Sequence, residues 1–157
     1  DLVEKSDKVF AGIKEEIRYR AGYLSFAPIL TISAFTGRRI PKIFQFADEV
    51  YDQYTRRIPT GPLNRIIESA TARTEPSMHR GRRLKFYYAA QTGIKPPAFV
   101  CFVNYPEGVH FSYQRYLINR IRESAGLDMV PLRLYLRKRG ETGHRKAPKK
   151  KKSAKAR

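Results

Sequence analysis

The chain of 157 residues carries 32 Lys and Arg against 14 Asp and Glu, a net charge of +18, which favours an anionic polymer as partner. That length suits one ordinary core or two small units. No apolar run approaches the roughly 20 residues of a membrane-spanning helix and no charged-then-apolar leader opens the sequence, so a soluble, cytosolic protein without membrane contact is expected. A single cysteine excludes an intrachain disulfide and a cysteine-built zinc site.

From the N-terminus, Val9, Ile13 and Ile17 recur every four residues and predict an amphipathic helix over 8–21, capped by Ser6 or Asp7. PILTI at 28–32 reads as a buried β-strand. Beyond the turn SAFTG, the spacing of Ile40, Ile43, Phe44, Ala47, Val50, Tyr51 and Tyr54 holds one helical face for four turns. Helix, strand, helix is the closing portion of a parallel α/β sheet. TRRIPTGP at 55–62 breaks the composition and places a domain boundary there.

Leu63, Ile66, Ile67 and Ala70 then mark a short helix with Pro62 in its first turn. EPSMHRGRR follows as a basic loop. Leu84, Phe86 and Tyr88 alternate with Lys85 and Tyr87 as a strand, and QTGIKPP joins it to a second strand at 98–103. Cys101 lies inside that run and is expected to be a buried thiol. Ser112 is expected to cap the next helix, with Phe111 and Tyr116 as a hydrophobic staple; Tyr116, Leu117, Ile121 and Ala125 form its stripe, and Gly126 its left-handed cap. Leu132, Leu134 and Leu136 alternate with Arg133, Tyr135 and Arg137 in a strand with a basic outer face. The order α-β-β-α-β predicts an α+β unit, a three-stranded sheet with helices on one face. Residues 140–157 hold no large apolar side chain and read as a disordered basic tail, whose PKKKK acts as a nonspecific electrostatic anchor.

The charge is graded along the chain. Residues 1–58 carry a net +2, residues 59–136 a net +6, and residues 137–157 a net +10. Arg80, Arg82, Arg83, Lys85, Lys95, Arg115, Arg120, Arg122, Arg133 and Arg137 are candidates for contacts to nucleic-acid phosphates, with a solvated charged face as the competing reading. Catalytic chemistry has little support. His79, His110 and His144 lack metal or nucleophile spacing, and neither a Gly-x-x-x-x-Gly-Lys-Ser/Thr loop nor an Asp-x-x-Gly stretch occurs. The chain alone is therefore not expected to hydrolyse GTP or to hold a metal or cofactor. Ser33-Ala34 after an apolar run, with Asp1 before a helix, has the spacing of a guanine-reading site, although Ser-Ala-x-x-Gly is also a common strand-to-helix turn.

The stretches LTISAFTGRRI, RIPTGPLNRII, GRRLKFYYAAQTGIKPPAFVCFVNYPE, FSYQRYLINRIRE and VPLRLYLRKR resemble the C-terminal end of the bacterial double GTPases of the Der, or EngA, family. The resemblance covers residues 1–139 and is most specific over Gln91–Phe99 and the Tyr116–Leu117 helix. It implies that residues 1–58 are an α/β remnant of a P-loop GTPase domain, and residues 59–139 a KH-like domain. Asp1 would end an Asn-Lys-x-Asp guanine motif, with Ser33 and Ala34 as the following base-binding motif. GTP or GDP and Mg would belong to the intact protein. The implied role is late assembly of the large ribosomal subunit, with the KH-like unit contacting ribosomal RNA under control of the upstream GTPase domains of the same chain, as a monomer. One feature departs from ordinary KH domains: no Gly-x-x-Gly loop occurs between residues 59 and 139, and GETG at 140–143 lies in the tail. A standalone basic RNA-binding structural protein without a nucleotide role is the alternative.

Overall fold

The computed structural model describes residues 7–140; the expectations for Asp1, for Ser6 as a cap and for the tail beyond Gly140 lie outside the described residues. Helix α1 spans Asp7–Arg20, α2 Pro41–Thr55, α3 Thr60–Arg73 and α4 Phe111–Ala125, with strands β1 Phe86–Gly93, β2 Ala98–Val103 and β3 Arg133–Lys138. The sheet order is β1-β2-β3, antiparallel between β1 and β2 and parallel between β2 and β3.

The second half matches the predicted α-β-β-α-β order. Leu63, Ile67 and Ala70 from α3 and Leu117 and Ile121 from α4 close over Ala89, Phe99, Cys101 and Leu134 of the sheet, with Leu127 and Val130 sealing the end. Tyr113 and Tyr116 donate their hydroxyls to the carbonyls of Thr74 and Ala70 at 2.7 and 3.0 Å, the Ala70 carbonyl also accepting from Thr74 N at 3.0 Å, and so tie α4 to the C-terminal end of α3. Both sheet edges are tied by side chains from the helices. Asn64 pairs with both the N–H and the C=O of Ala89 on β1, at 2.8 and 2.9 Å, and Gln114 donates to the Leu134 carbonyl on β3 at 2.6 Å. Such bonds blunt the edges against pairing with another chain. Gly126 ends α4 at φ 61°, ψ 46°, the left-handed cap predicted for it.

The first half departs from expectation at its strand. Pro28–Ile32 forms none, because a parallel strand needs hydrogen-bonded neighbours and no described strand lies beside it. In the stripe of α1, Ile13 and Ile17 are exposed and Val9 is half-buried. By contrast, the end of α2 is seated firmly on the second half. Val50 and Tyr54 pack on its core, and buried Gln53 donates to Asp128 Oδ1 at 2.7 Å while accepting from Met129 N at 2.9 Å. Gln91 accepts from Ile58 N and donates to the Arg56 carbonyl, at 2.7 and 2.9 Å.

Two local expectations are corrected. The cap of α4 is His110, not Ser112: His110 Nδ1 accepts from Ser112 N at 3.3 Å and lies 2.8 Å from its hydroxyl, so Ser112 falls inside the first turn. The staple does not form, since Phe111 is exposed and sits against the His110 ring, its centroid 4.3 Å away, while Tyr116 turns to α3. In β1, Phe86 pairs with Val103 but Tyr88 with Phe102, so Tyr87 is an extra, bulged residue. The bulge reverses the alternation: Leu84 and Phe86 face the core, then Ala89 does, and Tyr88 is turned to the other face.

Cys101 is buried as predicted, and burial pushes its thiol up from 9.0 to about 12. Because the folded thiol titrates above the unfolded one, its contribution is intact below pH 9 and is lost as pH rises towards 12. Alkaline urea melts should therefore show stability falling over that window, and Cys101→Ala should flatten part of the fall.

Candidate nucleic-acid interface

The sheet buries one face and opens the other. Register places Tyr88, Phe102 and Arg137 on one row, Ala90, Val100 and Tyr135 on the next, and Ala98 beside Arg133 on the third, all pointing away from α3 and α4. Tyr88 and Phe102 stack at 6.0 Å between centroids, 27° from parallel. Tyr135 stands 49% exposed beside them, and the Arg139 guanidinium lies 4.9 Å from the centroid of the bulged Tyr87 ring. Lys85 precedes this face on the same side by alternation and is exposed. None of the three strands contains an acidic residue. Lys85, Arg133, Arg137 and Arg139 thus create a field with no internal counter-charge.

The other predicted cations divide by what they touch. Arg80 and Gly81 form a two-residue turn with φ of 49° and 73°, and His79 and Arg82 exchange both backbone bonds across it at 2.9 Å, so the expected loop is a tight basic hairpin. Arg82 donates to the Tyr105 hydroxyl at 2.6 Å, and that bond raises its pKa further. Arg83 pairs with Glu75 at 3.1 Å and Arg120 with Glu123 at 2.7 Å, which discounts both as phosphate contacts. Lys95 donates to the Tyr51 hydroxyl at 3.1 Å and lies over its ring, tied to α2. Arg115 is exposed on α4, away from the open sheet face. Arg122 is directed inward to the carbonyls of Leu127, Asp128 and Val130. Burial lowers its pKa, a cost that the nearby Asp128 carboxylate partly offsets.

The Ser33-Ala34 turn is compact. Ser33 Oγ accepts from Thr36 N at 3.0 Å and from the Thr36 hydroxyl, Ser33 N donates to the Arg38 carbonyl at 3.1 Å, and Gly37 takes φ 68°. Ala34 is exposed at the outer bend and Phe35 is 91% exposed. Among the described residues no three His, Cys, Asp or Glu side chains converge as a metal site, and no helix is long and apolar enough to cross a membrane.

Residues 57–137 match the family described as KH-domain-like of EngA bacterial GTPase enzymes, C-terminal. The chain belongs to this EngA KH-like family. Proteins named GTPase Der are similar over most of its length: 53% identical over 137 residues in Desulforapulum autotrophicum, 46% over 144 in Syntrophobacter fumaroxidans and 47% over 141 in Caldanaerobacter subterraneus subsp. tengcongensis. Those alignments cover 87–91% of the chain but only 28–32% of the relatives, which it matches in their C-terminal part.

In this EngA KH-like domain the missing Gly-x-x-Gly loop removes the backbone clamp of ordinary KH domains, so side chains are what its surface offers an anion. The sequence reading brought Lys85, Arg133 and Arg137 to that surface but missed Tyr88, Phe102 and Arg139. The doublet Tyr87-Tyr88, which interrupts strict alternation, was the available signal for the bulge.

Proposed function

We propose that the chain works as the C-terminal part of a Der-type GTPase that acts in assembly of the large ribosomal subunit, its EngA KH-like domain binding ribosomal RNA. The open, acid-free sheet face with Lys85, Arg133, Arg137 and Arg139 carries this reading. In this proposal residues 1–58 complete the second GTPase domain, with Asp1, Ser33 and Ala34 on the guanine. The turn suits a base edge, since Ala34 is exposed beside a Ser33 fixed by Thr36. Nothing here fits the triphosphate or Mg: the sequence has no phosphate loop, so GTP hydrolysis is assigned to other parts of the intact protein. The seating of α2 through Gln53, and of Arg56 and Ile58 just beyond it through Gln91, gives nucleotide-driven movement of the first unit a rigid handle on the RNA-binding one. The protein is proposed to act in the cytoplasm, as a monomer.

A salt titration tests the RNA claim. Four phosphate contacts to a single strand predict an affinity about fiftyfold weaker at 200 than at 50 mM salt, measured with large-subunit RNA. Affinity indifferent to salt, or equal affinity for an acidic protein, would sink it.

A further inference from the structure

We infer that the open face of the sheet is a stacking platform for the unpaired bases of single-stranded RNA. The inference rests on the RNA reading above and adds the form of the RNA and the residues that receive it. Four aromatic rings are available there. Tyr88 and Phe102 already stack on each other, Tyr135 stands beside them on the neighbouring strand, and Tyr87 carries Arg139 on its ring. Tyr87 and Tyr88 are each 44% exposed and Tyr135 49%. Between the rings lie the short, half-buried Ala90 and Ala98, with Val100 between them covered to 6% exposure by its neighbours.

The chemistry of the rim selects the occupant. Lys85, Arg133, Arg137 and Arg139 flank the rings, and the strands contain no carboxylate to repel a phosphate chain. An apolar protein partner would have to desolvate these cations without pairing them. A duplex satisfies the cations but hides its base faces within its own stack, and the deep major groove of A-form RNA admits no side chain. Only an unpaired strand uses both the rings and the charges, by base–aromatic stacking along a basic groove. The helices support this geometry from behind, because α3 and α4 pack on the inner face and hold the two sheet edges through Asn64 and Gln114.

The test uses the whole 157-residue chain and a decauridylate, which has little structure of its own. The chain has no Trp, so its intrinsic emission comes from Tyr, and stacking should quench it as the RNA is added. Tyr88→Ala and Tyr135→Ala should each weaken binding about tenfold with the salt slope unchanged. Tyr88→Phe and Tyr135→Phe should retain affinity, and Arg133→Ala should instead lower the salt slope by about 0.7. Unchanged far-ultraviolet dichroism shows that these exposed positions have not altered the fold. Alanine variants that bind as the parent does, with its steep salt dependence intact, overturn the platform and leave the RNA reading standing. So does duplex RNA that binds and quenches equally well. A parent chain that binds no RNA, or releases it equally to polyglutamate, overturns both.

Discussion

Phe99→Ala is expected to lower the stability of the EngA KH-like domain by about 4 kcal/mol, the middle of the range for a buried aromatic truncated to alanine. Phe99 is the largest fully buried side chain, at 0% exposure, on the central strand between Gln91 of β1 and Leu134 of β3. It belongs to the cluster with Leu63, Leu117, Leu127 and Val130, contributed by α3, α4 and the loop after α4. A cavity at this point touches both helices and the sheet, so relaxation of one element cannot fill it. Small domains are stable by roughly 5–15 kcal/mol, so the loss removes a large part of the total. Urea melts followed by circular dichroism should show the midpoint fall steeply. Tyr135→Ala, half exposed on the other face, should move it by less than about 1 kcal/mol. A Phe99→Ala loss below about 1 kcal/mol would mean that the core is not organised around this ring.

Why the second half was so readable follows from its packing. Leu63, Ile67 and Ala70 at helical spacing, and Leu134 between exposed Arg133 and Tyr135, each show a period that their burial enforces. What the sequence concealed are features whose determinant lies elsewhere in space. Tyr87 is bulged because β1 must pair with β2 while Leu84 and Ala89 both stay inward, and that constraint belongs to the sheet. His110 displaces Ser112 as cap because its ring nitrogen reaches the Ser112 N–H from two residues back. PILTI has the composition of a buried strand, but among the described residues no strand lies beside it to make it one. The candidate site was legible as charge and illegible as geometry. Alternation put Arg133 and Arg137 outside, whereas the commitments of Arg83 to Glu75, Arg120 to Glu123 and Arg122 to backbone carbonyls rest on contacts that no spacing rule ranks.

Arg122 shows what such a contact is worth. Its Nη1 donates to the carbonyls of Leu127, Asp128 and Val130 at 3.1, 3.3 and 2.9 Å, and its guanidinium lies over the Phe26 ring at 5.5 Å. The loop it gathers has Leu127 and Val130 fully buried at its ends and Asp128 and Met129 gripping Gln53 of α2 between them. Arg122→Ala should therefore cost about 2 kcal/mol, the lower part of the range for charge-assisted bonds because the guanidinium is only partly buried. Arg122→Lys should recover only part of this, since a single ammonium does not reproduce the planar fork. Gln53→Ala weakens the same loop from the other side, so the double variant should lose less than the sum of the two, with a coupling of about 0.5–1 kcal/mol. Strict additivity would mean that the loop does not link α2 to the core. The salt slope of RNA binding should be unchanged by Arg122→Ala, because this cation is turned to carbonyls inside the domain and leaves no phosphate contact to lose. A slope reduced by about 0.7 would instead return Arg122 to the RNA surface.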